Sequence, residues 1–88
     1  GENQSGSGRL ALAIRQALAA GTPAEAASLL RQLAANPGWA KSLPFLTALQ
    51  AITAGSRDRS LAEDPGLDYD EAAEVLLLIE ALEGASGD

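Results

Sequence analysis

Apolar residues recur along this chain at intervals of three and four, the spacing of one face of an α-helix, in four stretches separated by glycine and proline. The richest is 68–83. Asp68 stands where an N-cap can accept from the early backbone N–H groups, and Glu71, three residues on, can reach back to it. Ala72, Val75, Leu76, Leu78, Ile79 and Leu82 then cover one broad arc, and Gly84 follows as the expected left-handed stop. So apolar a helix is expected to be the most buried in its domain, with the others packed on it. Leu77 falls roughly opposite the arc, beside Asp70, Glu74 and Ala81. The connection before the helix, through Leu61 or Tyr69, is its first expected cover, a contact with another repeat or subunit the second, and simple exposure the remaining alternative.

The other three helices are more conventional. The first runs from about Arg9 to Ala20, with Leu10, Ile14, Ala17 and Leu18 inward, Arg15 and Gln16 outward, and Gly21 at its end. In the second, Thr22 reads as N-cap, Pro23 as the first helical residue and Glu25 as the partner in a capping box. Ala26, Leu29, Leu30 and Leu33 form its apolar stripe with Ser28, Arg31 and Gln32 opposite, and Asn36-Pro37-Gly38 stops it near Ala35. The short Gly21-Thr22 turn forces these two helices into an antiparallel hairpin. Pro44 biases Leu43 away from helical geometry, so the third helix is expected over Pro44–Ala54, with a further helical turn allowed at 38–42. Its buried stripe is Phe45, Leu46, Leu49 and Ile52, with Thr53 at the edge; Thr47, Gln50 and Ala54 face out. Trp39 is expected to cover the seam between the two hairpins, with a ligand platform as the alternative. Residues 56–67 form a long connection, which implies either function or a turn of its own, with Leu61 and Leu67 as anchors and Asp64-Pro65-Gly66 as a turn. The expected fold class is all-α: a four-helix bundle of two antiparallel helical hairpins.

Composition narrows the function more than the fold. The 88 residues suffice for one domain, expected over 9–84, with a Gly/Ser-rich disordered linker or remnant at 1–8 and a frayed tail at 85–88. The Gly/Ser-rich start, without an initiating Met, reads as an excised piece of a cytoplasmic protein. Cysteine and histidine are both absent, which excludes thiol redox chemistry, disulfides and the commonest catalytic base. The serines have no base beside them in sequence, and the carboxylates gather at a solvated helix end, so no catalytic residues are expected. Asp64, Asp68, Asp70 and Glu71 invite a calcium-loop reading. Counting from Asp64, however, an EF-hand would need ligands where Gly66 and Val75 stand, so neither metal nor cofactor is expected.

The net charge is −6, and it is uneven: residues 1–44 hold four basic and two acidic groups, residues 45–88 two basic and ten acidic. Phosphate backbones and anionic membranes repel such a chain. Glu80 and Glu83 sit at the C-terminal end of their helix, where the dipole disfavours anions, and no Lys or Arg lies on that helix. An external cation on a partner's basic face would satisfy them, as would Arg9, Arg15 or Arg57 of the chain itself. The partner is then a protein or peptide, and the candidate contact residues are Leu77, Glu74, Glu80, Glu83, Thr47 and Gln50.

Acyl carrier proteins share the acidic, four-helix character, but they need an Asp-Ser-Leu signature; here Ser60 lies in Arg59-Ser60-Leu61. The stretch from Leu18 to Pro37 resembles tetratricopeptide repeats, with a Gly between paired helices, Glu25-Ala26 opening the second helix and Pro37 after it. On that resemblance residues 9–38 are one hairpin and 44–83 a degenerate second, departing from the repeat at the 55–68 connection. The stretch from Ala54-Gly-Ser-Arg-Asp58 through Leu82 is similar to helical tails that close repeat arrays in large bacterial multidomain proteins. The resemblance implies a non-catalytic protein–protein interaction or array-capping module. The alternative is a self-associating docking or dimerisation domain of a larger multidomain enzyme.

Overall fold

The computed structural model describes residues 6–86, with side chains from 8 to 84. The chain forms α1 (Gly6–Ala19), α2 (Pro23–Ala34), a 3-10 segment (Pro37–Ser42), α3 (Leu43–Thr53), a second 3-10 segment (Arg59–Glu63) and α4 (Tyr69–Ser86). No strand occurs among the described residues. The Cα radius of gyration is 12.1 Å, close to the ~12 Å of a folded domain of this length. The fold is therefore all-helical and compact. α1 packs against α2 and α4, α2 against α3, and α3 against α4, so the first and last helices also meet.

The helix ends show how local chemistry sets the turns. Gly21 (φ 82°) and Gly55 (φ 116°) take the left-handed conformation at the ends of α1 and α3. At the first, Gly21 N–H donates to Leu18 O and Thr22 N–H to Ala17 O, the paired bonds of a Schellman stop; Gly55 to Ile52 and Ser56 to Ala51 repeat the pattern. Arg57 reinforces the second stop, its guanidinium donating to Ile52 O at 3.0 Å.

Thr22 does not cap α2 as expected. Its hydroxyl donates to Ala17 O at 3.0 Å, and its N–H is already committed to the same carbonyl. The end of α1 therefore takes the groups a capping box would use, and Glu25 has no Thr22 N–H to accept from. At α4 the reach-back half of the box does form: Asp68 N–H donates to Glu71 Oε1 at 3.0 Å, and Glu71 is buried.

Three boundaries differ from expectation. Residues 1–5 lie outside the described residues, as do 87 and 88, but Gly6, Ser7 and Gly8 are the first turn of α1. There the contact of α1 with α4 outweighs poor helix propensity. α4 likewise runs through Gly84 to Ser86. Gly21 and Gly55 take positive φ and end their helices, whereas Gly84 stays helical. Leu43, before proline, is helical (φ −55°, ψ −40°) and opens α3. The 3-10 segment starting at Pro37, capped by the Asn36 side chain accepting from Gly38 N–H at 2.8 Å, leads directly into it. The steric bias against a helical residue before proline is modest, and seating Trp39, Phe45 and Leu46 against the core overrides it.

The core is Leu10 and Ile14 of α1, Ala26 and Leu30 of α2, Phe45, Leu46, Ala48, Leu49 and Ile52 of α3, and Val75, Leu78, Ile79 and Leu82 of α4. α3, not α4, contributes most to it: Phe45, Leu46, Ala48, Leu49 and Ile52 are all buried, against Val75, Leu78, Ile79 and Leu82 of α4. α4 has more apolar residues than its buried face can hold, because Leu76, Leu77 and Leu78 are consecutive and necessarily point in different directions. Leu61, Leu67 and Trp39 pack as partly buried anchors against this core. The connection has its own turn, capped by Asp58, whose carboxylate accepts from Ser60 N–H at 2.9 Å. Asp64 closes the next turn, accepting from Gly66 N–H at its side chain and Leu67 N–H at its carbonyl.

Candidate interaction groove

Two flanks of α4 remain outside the core, and they meet different neighbours. The connection folds back onto one flank: Arg59, Ala62, Glu63, Tyr69, Ala72 and Leu76 line a shared concavity. On the same side Arg59 Nη1 lies 3.0 Å from Glu80 Oε2 and Nη2 lies 2.6 Å from Glu83 Oε1. The cation that Glu80 and Glu83 require is thus supplied by Arg59, a residue not among Arg9, Arg15 and Arg57. These carboxylates in turn hold the Arg59 guanidinium above its ordinary pKa, first through the hydrogen bond that Arg59 donates to Glu83. The Asp58 carboxyl is lowered, chiefly by the side-chain hydrogen bond with Ser60 and then by the Ser60 backbone N–H.

The opposite flank of α4 faces α1 across an open groove of about 500 Å³, lined by Ala11, Leu12, Arg15, Glu74, Leu77 and Ala81 among others. Spacing explains the lining. Gly8, Leu12 and Arg15 recur at four and three residues on α1, as do Glu74, Leu77 and Ala81 at three and four on α4, so each set forms one stripe. Leu77 is 58 % exposed and Leu12 51 % exposed. Leu77 is therefore not covered by the connection, which approaches the Leu76 side instead. Tyr69, the other expected cover, is itself 89 % exposed.

Of the sequence candidates, Leu77, Glu74 and Glu80 share this groove. Glu83 is engaged with Arg59. Thr47 lines a different concavity, between α3 and the connection, with Pro44, Leu61, Glu63 and Asp64. Gln50 is half-buried on α3. Sequence reasoning missed Leu12 and Arg15 as groove residues. Leu12 sits two residues from both Leu10 and Ile14, off the buried stripe, which is the signal that could have found it.

Chemically the groove has an apolar floor with a cation on the α1 wall and carboxylates on the α4 wall. The Arg15 and Glu74 side chains make no ion pair or hydrogen bond among the described residues. Among those residues, no group of three or more Asp and Glu side chains is arranged to hold a metal ion, and no helix is long and apolar enough to cross a membrane. No protein-family model, curated protein or solved structure matches the chain.

Proposed function

We propose that the chain is a non-catalytic protein–protein interaction module that works through the α1–α4 groove. The observation that carries this reading is the pairing of Leu12 and Leu77, two large apolar side chains more than half exposed on the walls of one concavity. A single exposed leucine is ordinary on a protein surface, but two converging on a groove rimmed by charge form the kind of patch that partners cover. The resemblance of Leu18–Pro37 to tetratricopeptide hairpins, and of the Ala54–Leu82 stretch to array-closing tails, points to the same class of work.

Peptide selection from a displayed random library tests the reading. Peptides enriched on the wild-type chain should lose binding to Leu77→Asp and Leu12→Asp variants that keep their helical circular dichroism. Enriched peptides that bind both variants as well as wild type would exclude the groove as the binding surface.

A further inference from the structure

Resting on the groove as an interaction surface, we propose that its occupant is a second copy of this chain, docked with two-fold symmetry so that α1 of each copy lies over α4 of the other. The charge layout argues for it. The α1 wall carries Arg15, exposed and without an ion-pair partner among the described residues; the α4 wall carries Glu74, also without one. The two charges line one groove yet do not pair within the chain. A two-fold axis through the groove exchanges its walls, so Arg15 of each copy faces Glu74 of the other, and Leu12 of each faces Leu77 of the other. A two-fold contact must be self-complementary, and this surface has the required halves: an apolar residue on each wall and one unpaired charge of each sign. Glu80, on the same wall, is paired with Arg59, which it shares with Glu83, so it is less available than Glu74 to a second copy.

The remaining charge opposes close approach, since each copy carries −6. At physiological ionic strength, repulsion between exposed charges fades beyond a Debye length of about 8 Å. Each wall offers one large exposed apolar residue, Leu12 or Leu77, so dissociation is expected in the range of about 10 µM to 1 mM.

Sedimentation equilibrium of the chain over a concentration series tests the proposal. Wild type should shift from monomer toward dimer mass, while Leu77→Asp, with helical circular dichroism intact, stays monomeric. Arg15→Glu and Glu74→Lys, each alone, place two like-charge pairs in the homodimer and should weaken it at least about tenfold. Mixing these two variants should restore association, because Glu at 15 then meets Lys at 74 in one pair and Arg15 meets Glu74 in the other. Recovery on mixing is specific to the exchanged-wall geometry. A wild-type chain that remains monomeric to about 2 mM would overturn the second-copy occupant. So would a dimer that survives both Leu77→Asp and Arg15→Glu, or single charge variants that do not recover on mixing. If the chain is monomeric but displayed peptides still depend on Leu77, the groove stands and only its occupant is wrong. If neither association depends on Leu77, both readings fall.

Discussion

The Arg59 guanidinium bridges two turns of α4, with Nη2 2.6 Å from Glu83 and Nη1 3.0 Å from Glu80. It does so from a 3-10 segment more than twenty residues earlier in sequence, and so ties the long connection to the end of the last helix. Glu83 sits in the last turn of α4, where the helix dipole disfavours negative charge, and the bound cation offsets that. All three side chains are substantially exposed, which keeps the gain small. Arg59→Ala should cause a slight loss of thermal stability that disappears in about 1 M salt, where the Debye length is near 3 Å. Arg59→Glu should cost visibly more at low salt, because it adds a third carboxylate to the cluster. Salt-dependent melting curves check both.

Neighbouring positions on α4 should respond oppositely to truncation. Ile79 is fully buried among α3 and α1 residues, so Ile79→Ala should cost ~2–5 kcal/mol. Leu77→Ala should stay within ~0.5 kcal/mol, since its side chain is already mostly in water. Leu76, half-buried against the connection, should fall between them. Urea denaturation of the three variants gives the order, and a Leu77→Ala loss as large as that of Ile79→Ala would contradict the groove being open.

Among the described residues Glu71 is a buried carboxylate, 6 % exposed, and accepts the Asp68 N–H. Glu71→Gln keeps an acceptor in the same place and should be nearly neutral, whereas Glu71→Ala leaves that N–H without its partner and should cost about 1 kcal/mol. The Gln variant rescuing the Ala loss in chemical denaturation would separate the hydrogen bond from the negative charge.

The turn at Gly21 should be intolerant for reasons of backbone alone. A Cβ there would meet nothing within 4 Å, but φ is +82°. Gly21→Ala should therefore cost ~1–2 kcal/mol, and Gly21→Asn less, because Asn visits the left-handed region more readily. Equal losses for the two in thermal melts would place the cost elsewhere.

Asp58 offers a pH readout of the connection. Its pKa is held below the ordinary 3.8 by hydrogen bonds from Ser60, side chain first. A depressed carboxyl contributes stability that is present above the unfolded value of 3.8 and lost as pH falls through the lower folded value. The Asp58 carboxyl carbon, followed by NMR, should titrate below 3.8, and Ser60→Ala should move its midpoint upward without reaching the ordinary value, because the backbone donor remains.

Most of the helices and of the buried stripe are legible in the order of the residues alone. Period-3.6 placement of Leu10, Ile14, Leu30, Phe45, Leu49, Val75 and Ile79 suffices to name the buried face of each helix, because one stripe is all that a neighbouring helix can cover. The turns at Gly21, Gly55 and Asp64-Pro65-Gly66 were equally legible, since their backbone conformations depend on a few adjacent residues. Which surplus groups find cover depends instead on packing between segments distant in sequence. Thr22 was free locally to cap α2, and the end of α1 took its hydroxyl instead. Leu76 and Leu77 are equivalent in chemistry and adjacent in sequence, yet the connection folds onto the Leu76 flank and leaves Leu77 facing Leu12 across a groove. Glu80 and Glu83 found their cation in Arg59, a pairing at a sequence distance that no local pattern encodes. A helix's own periodicity fixes the direction in which each side chain points, but what waits in that direction depends on how the rest of the chain packs.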